Sequence, residues 1–111
     1  MFPKNRRIPR EMFPLLANGS RIHKNNLFLL RFVEVGSEPN SRFCFSVSKK
    51  VAKNAVMRNK MRRAGYRLLE KYLSEIKFKI LAVFSFRTIP QTDEEIIRNL
   101  ESILLESKLI K

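Results

Sequence analysis

Apolar and polar positions along the chain change period several times, and each change marks an element. Residues 9–17 read as a short helix stopped by Asn18-Gly19, where glycine can take the left-handed conformation that ends a helix. Pro14 fits only near the first turn of such a helix. Residues 27–35 are rich in apolar and aromatic side chains and run into Gly36-Ser37-Glu38-Pro39-Asn40, so they read as a strand followed by a turn. A second strand is expected over 42–48, where Phe43, Phe45 and Val47 alternate with Cys44, Ser46 and Ser48 at the period of a half-buried strand. Over 54–73 the period becomes helical. Met57, Met61, Ala64, Leu68 and Tyr72 form one apolar stripe, Asn59, Arg63, Tyr66, Arg67 and Glu70 fall on the opposite face, and Arg58 and Arg62 lie along the boundary. Gly65 weakens that helix unless a neighbour packs close against it. Residues 78–87 form a nearly continuous apolar run, which marks a central strand. After Pro90, Thr92-Asp93-Glu94-Glu95 reads as a capping box, and Ile96, Ile97, Leu100, Ile103 and Leu104 make the buried face of a last helix.

These elements specify an α+β fold. We expect a single-domain, two-layer sandwich over residues 1–111, with a sheet of about four strands, element order αβββαβα and the long helix in a βαβ crossover. Hydrophobic residues at 44% and nine Phe supply one core and exclude a disordered basic tail, except as a flexible amino terminus over residues 1–8. No run approaches the roughly 18 apolar residues of a membrane span. Met1-Phe2-Pro3-Lys4-Asn5-Arg6-Arg7 has no apolar segment behind it and does not read as a secretory signal. Cys44 and His23 are each alone and form no cluster. A cytoplasmic monomer with no membrane partner is the expectation.

Charge then changes the picture. Residues 1–69 hold 16 Lys/Arg against 3 Asp/Glu, a net of +13, while residues 70–111 hold 7 of each, a net of 0. Between Glu38 and Glu70 nine cations accumulate without one acid, seven of them from Lys49 to Arg63. An ordinary solvated helix face intersperses acids at i±4. This one repels itself unless phosphates neutralise it, so its natural partner is a nucleic acid.

The segment Ser48-Lys49-Lys50-Val51, then Val56-Met57-Arg58-Asn59-Lys60-Met61-Arg62-Arg63, resembles the signature of the bacterial ribonuclease P protein family. That family carries a strand ending in Ser-Lys-Lys-Val, a short turn and an Arg-Asn-Arg helix. The likeness extends to Lys4-Asn5-Arg6-Arg7-Ile8, to Glu11-Met12-Phe13 with Gly19-Ser20-Arg21, and to the strand Arg42-Phe43-Cys44-Phe45-Ser46-Val47-Ser48. Lys60 stands at the third position of the triplet, which keeps the charge and loses the guanidinium fork. The turn before Arg58 is one residue longer than in many members, and Leu16 or Ala17 stands where the first helix of the family usually has a second aromatic.

The resemblance implies an accessory subunit. A larger RNA performs catalysis, and the protein helps it bind precursor tRNA, whose 5′ leader is removed with magnesium at the RNA's active site. It implies no catalytic residue on the protein, and it leaves any protein metal ligand unassigned. The surface of Lys49, Lys50, Lys53, Arg58, Asn59, Lys60, Arg62, Arg63 and Arg67 should grip the catalytic RNA, the Arg residues suiting bidentate phosphate contacts. A cleft between the first helix and the sheet should hold the single-stranded leader. Phe13 maps there, with Phe28, Leu30 and Phe32 as candidate floor residues and Arg10 and Arg42 at the rim. Aromatic faces stack on bases with little sequence preference.

The residues agree on the lack of chemistry. A protein nuclease needs paired acids for metal ions or a His-based acid and base, and neither is visible, so the polypeptide alone should be inert. Asp93, Glu94 and Glu95 sit where a helix dipole and cap explain them. The alternative function is a ribosomal or general structural RNA-binding protein, which size and charge suit equally. A stand-alone nuclease is a third reading, opposed by the missing acid pairs.

Overall fold

A computed structural model describes residues 6–17, 20–36, 41–76 and 79–110. The expected helix stop at Asn18-Gly19, the turn at 37–40 and Phe78 lie outside them. Within them a 3₁₀ helix, Arg10–Ala17, precedes strands β1 (Arg21–Lys24), β2 (Phe28–Glu34) and β3 (Arg42–Ser46). Helix α1 (Ala55–Leu69) continues as a 3₁₀ segment, Glu70–Glu75, before strand β4 (Ile80–Phe86) and helix α2 (Asp93–Glu106). The sheet order is β1-β2-β4-β3, so β4 is central as its apolar run implied. β2 is antiparallel to β1 and β4, whereas β3 and β4 are parallel, which makes α1 the crossover between them.

β1 is the element that periodicity does not locate. Arg-Ile-His-Lys is short, largely exposed and without an apolar face; it becomes a strand through pairing, with Lys24 opposite Leu29. Asn25 builds the turn. Its Oδ1 accepts from the Leu27 and Phe28 N–H groups at 3.0 and 2.8 Å, and its Nδ2 donates to the Asn99 carbonyl at 2.9 Å, tying the hairpin to α2.

The core lies between the sheet and the two α-helices. Phe28, Leu30, Phe32, Phe43, Phe45, Ala82 and Phe84 meet Met61, Leu68, Leu69, Ile96, Leu100 and Leu104. Phe45 stacks on Phe84 at 5.0 Å between ring centroids and meets Tyr66 edge-on at 5.1 Å. Gly65 is the close approach that makes this possible: a Cβ there would lie 2.6 Å from the Phe45 ring. The apolar stripe of α1 is therefore Met61, Gly65, Leu68 and Leu69, rotated from the expected one. Met57 is left exposed, and Tyr66 turns inward rather than to solvent.

Helix ends follow local chemistry. Asn54 caps α1, its Oδ1 accepting from the Val56 N–H at 2.7 Å. Thr92 caps α2 through the Glu95 N–H at 3.1 Å. The return half of the expected capping box shifts by one residue, because Glu95 Oε1 accepts from Gln91 N–H at 3.2 Å. α2 ends in a Schellman motif: Leu109 N–H bonds the Leu104 carbonyl at 3.0 Å and Lys108 N–H that of Leu105 at 3.0 Å. Lys108 holds the left-handed position at φ 64°.

Candidate nucleic-acid interface

The cationic surface starts in the turn between β3 and α1. Ser48 organises it, its carbonyl accepting from the Val51 and Ala52 N–H groups at 3.1 Å each. Lys49, Lys50 and Lys53 project from this turn into solvent, and Asn59, Lys60, Arg63 and Arg67 are exposed on α1. Arg58 has a structural partner. Its Nη1 donates to the Ala52 and Lys53 carbonyls at 2.9 Å each, fastening the turn to the helix. Arg62 is half-buried, and its Nη2 donates to Asn59 Oδ1. Arg67 pairs with Asp93 at 3.0 Å, with both side chains more than half exposed, so the pair adds little to stability. The nine sequence-predicted residues thus occupy one turn and one helix, with three of the guanidiniums already partnered inside the protein.

Tyr66 links this surface to the sheet edge. Its hydroxyl accepts from the Phe45 N–H at 3.3 Å, on the edge strand β3. Beside it, Ile8 N–H donates to the Phe43 carbonyl at 3.2 Å, and Arg7 stacks its guanidinium over the Tyr66 ring at 4.6 Å. Arg6 Nε donates to the Ser41 carbonyl at 2.9 Å. The edge is thereby covered rather than left open to another strand. Burial first, and the nearby Cys44 second, push the Tyr66 phenol above its ordinary value. Burial also raises the Cys44 thiol, against smaller opposing effects of the Tyr66 hydrogen bond and the Arg62 charge. A raised thiol is a poor nucleophile at neutral pH.

On the opposite face of the sheet lies an open cleft of about 480 Å³. Leu29 and Arg31 of β2, Cys44 and Ser46 of β3, and Val83 and Ser85 of β4 form its floor, with Phe13 and Leu16 of the amino-terminal 3₁₀ helix beside them. Phe13 is 38% exposed. The expected floor residues Phe28, Leu30 and Phe32 are elsewhere: they are almost wholly buried on the helix side. Strand alternation puts residues 28, 30 and 32 on one face and 29, 31 and 33 on the other, and the large aromatics fill the thicker core. Arg42 shares the cleft face with Cys44, but its Nη1 donates to the Arg7 carbonyl at 3.1 Å, holding the amino-terminal segment. Arg10 begins the 3₁₀ helix.

Arg31 is the charged residue of the cleft floor that the sequence reading missed. Its same-face neighbours across the strands are Ile22 and Val83. A signal existed: Arg31 is the one charge in the run 27–33, and a charge in a half-buried strand faces solvent, which assigns Leu29 and Val33 to the open face. Among the described residues, no three His, Cys, Asp or Glu side chains come together as a metal-holding group. No helix among them is long and apolar enough to cross a membrane.

Together these features define a small basic α+β protein with a polycationic crossover helix and a sheet that keeps one face open. The chain matches the family model described as Ribonuclease P over residues 2–108. It is 30% identical over 98 residues to the ribonuclease P protein component of Microcystis aeruginosa, covering 85% of this chain and 82% of that protein. The corresponding component of Synechocystis sp. is 25% identical over 111 residues, covering 97% and 90%. The solved structure of the Staphylococcus aureus RNase P protein is similar at a TM-score of 0.84 and 26% identity, covering 96% of this chain and 98% of that one. The chain belongs to the ribonuclease P protein family, whose members are protein components of an endonuclease that processes tRNA. Its partner in such a ribonucleoprotein is an RNA.

Proposed function

We propose that this chain binds the catalytic RNA of ribonuclease P through the 48–67 surface and the 5′ leader of precursor tRNA through the cleft, assisting removal of the leader. The observation that supports this reading best is the placement of the two surfaces on one sheet. The crossover helix presents free cations on one side, and the other side keeps an apolar floor that the fold does not cover.

Lys49, Lys50, Lys53, Lys60 and Arg63 are the primary phosphate contacts in this reading, because they are exposed and hold no partner within the described hydrogen bonds. Arg58 shapes the turn that displays the lysines. In the cleft, Phe13 offers a ring face to a base, Leu29 and Val83 offer apolar floor, and Arg31 supplies the cation for a phosphate or base edge. The floor spans three strands, roughly 10 Å between the outer two, which suits a single strand and not a duplex. Serine hydroxyls at 46 and 85 are versatile partners, consistent with leaders of varied sequence.

Magnesium in this reading belongs to the RNA's active site, as the family resemblance implies. The protein alone is inactive toward phosphodiesters, and it works as a monomer beside its RNA. The deciding experiment is precursor-tRNA cleavage at low magnesium by a bacterial-type catalytic RNA, with and without the protein. Strong stimulation with no cleavage by protein alone is expected. Tight RNA binding without stimulation would return the chain to a general RNA-binding role.

A further inference from the structure

Where the chain after β4 meets the start of α1, the surface keeps apolar atoms that the core does not use. Met57 and Ile89 are 37% and 46% exposed. They line a notch between α1 and the segment leading into α2, together with Lys60, Pro90 and Gln91. Val56, 74% exposed, lies one helical turn from Lys60 on the same helix surface. Contiguous exposed apolar groups rimmed by polar ones mark interaction sites. This notch lies on the flank of α1 away from the cleft and opens one turn from Arg63.

We infer that the notch receives an unpaired nucleobase of the catalytic RNA, whose backbone crosses Lys60 and Arg63. This rests on the reading of α1 as the RNA-gripping helix. The chemistry fits a nucleotide part by part. A base has two apolar faces, and Met57, Ile89 and Pro90 offer apolar surface to them. The thioether adapts its shape, so it accommodates any base. The base edge carries donors and acceptors, which the Gln91 amide can answer in either sense. The attached phosphate needs a cation, and Lys60 stands on the notch wall. Asp93 also lines the notch, but Arg67 neutralises it at 3.0 Å and limits its repulsion of a phosphate. A second copy of this chain is a poorer occupant, because it would bring the same cations against these.

The test compares the Met57→Ser/Ile89→Ser double variant with Lys60→Ala and Arg63→Ala in binding to a bacterial-type catalytic RNA over a salt series. A base held by apolar contact contributes affinity without releasing counterions. The double variant should therefore weaken binding roughly tenfold at every salt concentration with an unchanged slope. Lys60→Ala and Arg63→Ala should each reduce the slope. Chemical probing should show one or two unpaired nucleotides protected by the unaltered protein and exposed by the double variant. Slopes reduced as expected, with the double variant binding normally, would overturn the notch alone; cation variants without effect would overturn the reading of α1 itself. If the double variant does not fold, peroxide oxidation of Met57 in the unaltered chain decides: equal rates free and RNA-bound overturn the proposal, as does self-association that depends on Met57 and Ile89.

Discussion

On its helix side the sheet presents Phe28, Leu30, Phe32, Phe43, Phe45, Phe84 and Phe86, all buried and many in ring contact. On its other side the same strands present Leu29, Arg31, Cys44, Ser46, Val83 and Ser85 around an open cleft. Backbone and hydrogen-bond ladder are shared, so the contrast comes entirely from alternation along each strand. One parity carries the main core; the other packs Leu81 and Val33 beneath Ile8 and Leu16 at one end and leaves the rest free to meet a ligand. Large rings go where two α-helices can cover them, and small or polar groups go where only a short 3₁₀ helix covers one end.

The sharpest break of that contrast is truncation on each side. Phe45→Ala should cost about 3–5 kcal/mol in denaturant unfolding, because it empties a site packed by Phe28, Phe84 and Tyr66. Leu29→Ala on the open face should lose far less stability and instead weaken binding of leader-bearing precursor. Equal stability losses would erase the distinction. Gly65→Ala comes next, with a loss of about 1–3 kcal/mol measured the same way, since the added methyl meets the buried Phe45 ring. A neutral result would mean that the ring shifts freely.

Phe13→Ala addresses the cleft directly. It should weaken leader-bearing precursor roughly 5–150-fold, with mature tRNA unchanged, the range that one stacked base contributes. Equal loss for both substrates would make Phe13 a packing residue. The smallest effect is in pH. Burial raises both Cys44 and Tyr66 above their ordinary values, so the folded state holds these protons more tightly than the unfolded chain. Their contribution is intact below the ordinary values of 9.0 and 10.0 and is lost as pH rises through the folded ones. Tyr66→Phe should flatten the alkaline fall in melting temperature; an unchanged profile would assign that fall to other groups.

Much of the molecule was legible before any contact was known. Period-two alternation over 42–48, the apolar run over 78–87 and the Thr92 cap are local features, and the structure sets strands Arg42–Ser46 and Ile80–Phe86 within those runs and caps α2 at Thr92. The parity of β2 was not read, although Arg31 contained it, because both faces of that strand are apolar elsewhere. β1 could not be read, since its four residues carry no pattern of their own and exist as a strand only beside β2.

By itself the sequence determined the charge asymmetry, the α+β order and the Ser-Lys-Lys to Arg-Asn block, because charge count, periodicity and short motifs are properties of neighbours along the chain. Only the tertiary structure decided which cations remain free. Arg58 closes on its own turn, Arg42 on the amino-terminal segment and Arg67 on α2, and partners separated by 5 to 35 residues are invisible to periodicity. It also decided which strand face is cleft, since burial depends on which side the helices fold back to cover.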